Sequence, residues 1–302
     1  MVKKEIQEIN LFKSGVLVDL NIFKWNAQTK LDAEDLGLKE EDLSTLMKLG
    51  TKYLVDKKYV APFVNLDAAA RRILSFYSIK FPIGDTAFVP ITNFDRLMKE
   101  LNDVKKEFEE YKRIFIEHYE EMKKEALKEY EEYSKQLQKR NNWTDDRRKE
   151  FIEKIKTYYK TKEELERKIR FEILVYRIDV DTQLEIKNIE EFRKEIMNKI
   201  HDFVKSISLH VTNEIKELYN DLLNRKRTIN ENLYGIIQRR LDSLRNLNII
   251  GEPEIDNLID STLAEIKTWI NKDIDTVKDD IKKALDKTDE FEIKEPRLRI
   301  LL

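Results

Sequence analysis

The sequence predicts an α+β protein, predominantly helical, in which a small, mostly antiparallel sheet with short helices carries long antiparallel coiled-coil helical arms. Three features lead to that class. An apolar register at helical spacing runs from Leu97 to Met122, a second of comparable length starts at Ile189, and short segments with period-two alternation stand before and between them. Only 6 Gly and 5 Pro interrupt 302 residues, as suits a chain with few turns.

The first strand lies in Gly15 to Trp25, where Val16, Val18, Leu20 and Ile22 share one side and Asp19 and Asn21 the other, the pattern of a half-buried strand. Short helices are expected near Ala33 to Leu36, from Glu40 to about Val55, and from Ala68 to Tyr77, where Asp67 suits the first turn. Helices this short need a sheet to pack on. Ser78 to Phe81 and Ala87 to Ile91 read as a hairpin around Pro82, Gly84 and Asp85, with Pro82 and Pro90 confining the strands to edges or ends.

Thr92 or Asn93 is placed as the cap of the first long helix, which reaches about Arg140. Leu97, Leu101, Val104, Phe108, Tyr111, Phe115, His118 and Met122 step alternately by four and three, the seam of a coiled coil. The steps then become four and four through Ala126 to Tyr130, a stutter, before Tyr133 and Leu137. A helix of some 45 residues spans on the order of 70 Å. Thr144 then caps a returning helix with Asp145 and Asp146 in its first turn and Ile152, Ile155, Tyr159, Leu165 and Ile169 as its apolar set. Phe171 to Val180 alternates again and is assigned to the sheet begun at Gly15.

Asn188 and Glu191, at capping-box spacing, open the second long helix, which continues to Gly251 and Pro253. Its seam holds Ile189, Phe192, Ile196, Ile200, Phe203 and Ile207, then after a shift Val211, Ile215, Leu218, Leu222, Ile229, Leu233, Ile236 and Leu244. Gly235 inside it costs about 1 kcal/mol relative to Ala and marks a kink or a close backbone contact. A last arm runs from Glu254 to about Asp286, and the tail from Phe291 is a closing strand or a docking peptide. The expected domains are therefore 1–92, an α/β part whose sheet is completed by about 170–182, a helical hairpin arm at 93–169, and a second long arm with its tail at 183–302.

Composition narrows the chemistry. The chain is 38% charged, yet Lys+Arg 57 against Asp+Glu 59 leaves a net charge of -2, so the charges solvate helix faces and exert no global pull on nucleic acid or anionic membrane. Without cysteine there is no disulfide, thiolate nucleophile or Cys-ligated zinc. No export signal or membrane-length apolar run is read, and the expected setting is cytoplasmic, the host cytoplasm for a phage-encoded protein. The weighting toward Lys, Glu and Ile fits a thermophile or an AT-rich genome.

Candidate chemistry is sparse. His118 and His210 occupy matching places on the two long seams, with Glu117, Glu121 and Glu214 within a turn, but the paired Glu-x-x-His signature of bundle metal sites is missing and seam packing is the favoured reading. Asp179 and Asp181 share one side of an extended segment, the spacing of a strand-end Mg²⁺ pair in a metal-dependent nuclease or simply of a strand end. No Gly-rich phosphate loop, nucleophile elbow or zinc-protease helix occurs, and no cofactor is expected. The basic residues with most content are Arg225, Lys226, Arg227, Arg239, Arg240 and Arg245. Two-heptad separations put Arg225 with Arg239 and Lys226 with Arg240 on one stripe, which suits phosphate tracking or a solvated face countered by Glu231 and Asp242. Tyr111, Tyr130 and Tyr133 stand at core spacing.

Gly15-Val16-Leu17-Val18-Asp19-Leu20-Asn21-Ile22 with Trp25, then Lys30-Leu31-Asp32-Ala33-Glu34-Asp35-Leu36-Gly37-Leu38, resembles the start of the uncharacterised family called domain of unknown function 3150, as do Phe81-Pro82 and Phe88-Val89-Pro90-Ile91. The resemblance covers about the first hundred residues. It implies a phage or bacterial protein found near MoxR-type AAA+ ATPases, hence a partner of a motor or remodelling system, and it supplies no catalytic residue. The expected function is a non-enzymatic interaction or scaffolding protein, self-associating or engaging an AAA+ ATPase through its arms. The alternative is nucleic-acid binding along the basic stripe, and a metal-dependent nuclease stands third.

Overall fold

The computed structural model describes residues 7–36, 38, 49–82, 84–177, 189–225, 228–249, 251–289 and 298–301. The chain begins with β1 (Gln7–Asn10), α1 (Leu11–Ser14), β2 (Gly15–Phe23), β3 (Gln28–Lys30), a 3-10 turn (Ala33–Leu36), β4 (Thr51–Tyr53) and a second such turn (Lys57–Tyr59). There follow α2 (Ala61–Tyr77), β5 (Ile79–Lys80), β6 (Ala87–Pro90), α3 (Ile91–Asn141), α4 (Asp145–Thr157), α5 (Lys162–Lys168) and β7 (Arg170–Tyr176). The last elements are α6 (Ile189–Leu223), α7 (Glu231–Leu247), α8 (Pro253–Thr268), α9 (Ile274–Asp289) and β8 (Leu298–Leu301). The architecture is α+β and predominantly α.

Two compact units form. One comprises residues 1–19, 72–101 and 173–302, the other 20–71 and 102–172, so the chain passes between them within β2, α2, α3 and β7. The first 92 residues contribute to both units.

A four-stranded sheet has the order β5-β6-β2-β7, which places the strand at Arg170–Tyr176 beside the one begun at Gly15. β2 runs antiparallel to β6 with Gly15 opposite Pro90, and a Cβ at Gly15 would collide with the Val89 carbonyl and the Phe88 ring, so the pairing requires glycine there. Leu17 is buried along with Val18 and Leu20, so β2 is covered on both faces where one was expected. Within the tail Leu298–Leu301 form a strand, β8, parallel to β1; residues 291–297 lie outside the described ones.

The expected helix from Glu40 to Val55 is corrected at its end, where β4 pairs antiparallel with β3; residues 39–48 lie outside the described ones. Gly50, at a φ of 69°, turns the chain, and its carbonyl accepts from Leu31 N–H at 3.1 Å. Lys52 then points inward to Asp35, their side chains only 5% and 4% exposed, with Nζ 2.5 Å from Oδ2. Asp35 also accepts from the Asp32 N–H, and Nζ of Lys52 lies 4.8 Å from the centroid of the Tyr158 ring.

The 51 residues of α3 extend about 77 Å at 1.5 Å per residue. Its helical start at Ile91 corrects the expected cap at Thr92 or Asn93, for Asn93 is buried and its amide is engaged elsewhere. Within the second unit the inner face of α3 carries an aromatic core. Phe108, Tyr111 and Phe115 pack edge-on against Phe63, Phe171 meets Phe108, and Trp25 contacts Phe115 and Tyr119. His118 is half-exposed and hydrogen-bonds Glu121; Tyr119 holds the buried seam position, so an extra four-residue step already falls between Phe115 and Tyr119, before the stutter expected beyond Met122. Tyrosine hydroxyls tie the loop-rich segment down: Tyr111 donates to Tyr59 O, Tyr130 to Tyr53 O, Tyr133 to Asp35 O and Tyr159 to Leu54 O. Burial pushes the Tyr130 phenol up to about 12, so it remains a donor at all ordinary pH.

Thr144 caps α4 by accepting from Arg147 N–H, and Phe151, Ile152 and Ile155 fold back on Leu137, Tyr130 and Tyr133 of α3. The single returning helix expected from the sequence is interrupted, because Thr161 and Glu164 form a capping box that starts α5.

In the first unit α6, α7, α8 and α9 share one core with Leu17, Phe81 and Phe88 of the sheet. The expected helix from Asn188 to Gly251 is two helices, and so is the last arm. One contact joins the two breaks. Ile229, fully buried, bridges Ile270, and its carbonyl accepts from Asn271 N–H at 2.7 Å, so the chain just before α7 meets the chain just after α8. Asn230 caps α7 by accepting from Leu233 N–H, and Asn271 takes a left-handed φ of 62°. No atom lies within 4 Å of a Cβ built at Gly235, which excludes the close contact expected there.

Because Lys52 and Asp35 are held out of water, Lys52→Met should cost about 3–5 kcal/mol, and adding Asp35→Asn should recover much of that loss. Urea unfolding of the two variants measures it; a loss below about 1 kcal/mol for Lys52→Met would mark the pair as one of surface strength.

Candidate interaction surface

An α-helix leaves its last four carbonyls without helical partners. The sequence after Tyr77 offers no glycine cap, and in the structure side chains close the end of α2 instead. Ser78 Oγ donates to Leu74 O at 2.6 Å, Arg240 to the carbonyls of Ser75 and Phe76, Ser243 Oγ to Phe76 O at 2.7 Å, and Asn93 Nδ2 to Tyr77 O at 3.1 Å. Asn93 also donates to Ser243 O and accepts from Asn246 Nδ2. One helix end thus gathers α3 and α7 around it. The Arg240 guanidinium is fixed further by an ion pair with Glu214 of α6 and by lying 4.8 Å from the centroid of the Phe76 ring.

Beside this clamp α2, α3 and α7 enclose a cleft of about 230 Å³ lined by Arg72, Ile73, Phe76, Tyr77, Glu100, Ile236 and Arg239. Tyr77 donates to Glu100 at 2.6 Å; burial first and that carboxylate second push its phenol up to about 12 against the opposing pull of Arg96 and Arg239. Ile236 is exposed, and among the described residues no carboxylate lies within ion-pair distance of Arg72 or Arg239.

The basic stripe expected from the sequence does not form along one helix. Arg225 is exposed on the loop after α6, and Lys226 and Arg227 lie outside the described residues. On α7, Arg239 faces the cleft, Arg240 is clamped, and Arg245 pairs with Asp260 of α8, which holds its guanidinium pKa above the usual value. The heptad spacing of Arg225 and Arg239 loses its meaning because α6 ends at Leu223 and α7 starts at Glu231. Asp179 and Asp181 also lie outside the described residues. Among the described residues no group of three or more His, Asp or Glu could hold a metal, and His118 and His210 belong to different units.

Sequence reasoning missed Asn93 and Ser243. The available signal was the helix end at Tyr77 without a Gly or Asn cap, which requires donors from elsewhere.

A second feature of this unit is β7, the outer strand of its sheet among the described residues. Leu174, Val175 and Tyr176 are consecutive and 37%, 43% and 45% exposed. No described helix is long and apolar enough to cross a membrane.

The family model described as "Protein of unknown function (DUF3150)" matches residues 12–271. The chain belongs to this family. The DUF3150 match reaches far beyond the first hundred residues in which the resemblance is legible, and it takes in α3, the clamp, the cleft and β7. No curated protein and no solved structure matches the chain.

His210 on α6 adds a titratable group next to the clamp. Its Nε2 is buried without a hydrogen-bond partner among the described residues and lies 4.0 Å from Glu214. Burial lowers its pKa below the ordinary 6.5, with Arg240 adding to that and Glu214 and Glu217 opposing it. The unfolded chain therefore binds the proton more readily, and stability is lost as pH falls through and below the unfolded value. The urea midpoint should drop between about pH 7.5 and pH 5.5, and His210→Gln should lessen that drop; an equal drop in the variant would exclude His210 as its source.

Proposed function

We propose that this DUF3150 member is a non-enzymatic interaction or scaffolding protein, phage-related, that engages a protein partner, with an AAA+ ATPase as the partner the family resemblance suggests. The observation that supports this reading most is β7. Edge strands in monomers are usually blunted by charge, proline or a bulge, yet Ile173 to Tyr176 carries no charge and presents three exposed apolar side chains in a row. A partner strand added there would gain ladder hydrogen bonds and cover apolar surface on both faces of the sheet. The length of α3 supports the scaffolding part, since its 51 residues offer partners a long face with many exposed side chains.

Nucleic-acid binding is the second reading. It rests on Arg225 and Arg239, because Arg240 and Arg245 are committed to carboxylates. The nuclease reading rests on Asp179 and Asp181 alone.

Tagged protein recovered from its native cells should keep the same protein partner with and without nuclease treatment. Val175→Lys should reduce that recovery at least about tenfold, equivalent to about 1.4 kcal/mol of binding. Loss of every partner on nuclease treatment would transfer the function to nucleic acid, and unchanged recovery with Val175→Lys would remove β7 from the interface.

A further inference from the structure

The cleft beside the clamp has a chemistry that neither the helix bundle nor the outer strand uses. Its apolar residues, Ile73, Phe76 and Ile236, come from α2 and α7, and Phe76 is held in place by the guanidinium of Arg240. The polar lining is one-sided. Glu100 already accepts from the Tyr77 hydroxyl, which leaves Arg72 and Arg239 as cations without carboxylate partners among the described residues. We propose that this cleft docks an acidic, apolar peptide segment of a protein partner, which places a large apolar side chain in the cleft and its carboxylates against Arg72 and Arg239. The inference rests on the reading that the partner is a protein.

Size favours this occupant. Sites for drug-sized ligands and cofactors run to roughly 300–1,000 Å³, and a cleft of about 230 Å³ suits a side chain better than a whole cofactor. Charge favours it too. Two guanidiniums flanking apolar surface can each take a carboxylate in a bidentate pair, whereas phosphate tracking needs a repeated array of cations, and Arg240 and Arg245 are withdrawn from any such array. The exposed Ile236 at the cleft gives such a segment apolar area to cover, and the arginine aliphatic stems extend that area.

The test is fluorescence anisotropy of the full chain with a labelled twelve-residue peptide alternating Glu and Leu, beside a Lys-for-Glu version and a Ser-for-Leu version. Saturable binding of the Glu and Leu peptide alone is expected, weakened at least about tenfold by Arg239→Glu and by Ile236→Ser and unchanged by Arg225→Glu. Circular dichroism checks that each variant folds, and Ile236→Ser decides if Arg239→Glu does not. Absence of binding, equal binding in both cleft variants, or equal binding of the Ser-for-Leu peptide would overturn the proposal, as would displacement of the peptide by a single-stranded oligonucleotide. Failure here with a partner still recovered after nuclease treatment removes the cleft and leaves the protein-partner reading standing; loss of that partner removes the parent reading itself.

Discussion

The first unit depends on how the end of α2 is closed. Four carbonyls have no partner in their own helix, and those shut away from water would each cost about 1–3 kcal/mol if left unsatisfied. All four are taken by side chains: Ser78 from the residue after the helix, Asn93 from the start of α3, and Arg240 and Ser243 from α7. Each donor is positioned by something else. Glu214 and the Phe76 ring fix Arg240, and Asn246 fixes the Asn93 amide. The segment that would otherwise be a frayed helix end becomes the point at which α2, α3, α6 and α7 are tied together, and the cleft with Arg72 and Arg239 is built on the same turn.

The second unit solves a similar problem differently. Among the described residues of 24–59 the regular structure is a two-stranded sheet and two 3-10 turns, and several backbone carbonyls there take partners from outside the segment. Tyrosines on α3 and just past α4 supply hydroxyls to those carbonyls while their rings join the apolar core, and the buried Lys52 to Asp35 pair ties β4 to the 3-10 turn at Ala33–Leu36. Tyrosine suits this duty because one end of the ring is apolar and the other donates.

How much of this is legible in the sequence follows from the range of the forces involved. The long helix at Ile91–Asn141, the Thr144 cap, the hairpin of β5 and β6 and the strand at Arg170–Tyr176 are written in local periodicity and turn chemistry, and these are readable. The breaks between α6 and α7 and between α8 and α9 are not, because they meet through a contact distant in sequence, that of Ile229 with Ile270 and Asn271. That same contact dismantles the basic stripe, which existed only as a helical projection of Arg225 to Arg245. His118 fails as a seam residue for a smaller reason: a four-residue step from Phe115 to Tyr119 satisfies the aromatic core around Trp25 better than a three-residue step does. The candidate site was visible only as Arg239, since the clamp and the cleft are assembled from residues far apart in the chain.

Asn93 and Ser243 act together at the end of α2, and a double-mutant cycle measures that directly. Asn93→Ala and Ser243→Ala should each cost about 1–3 kcal/mol in urea unfolding, and the double variant should depart from their sum by at least about 0.5 kcal/mol because the two share one network. Additive losses, or single losses near zero, would contradict the view that α2 is held at its end by α3 and α7.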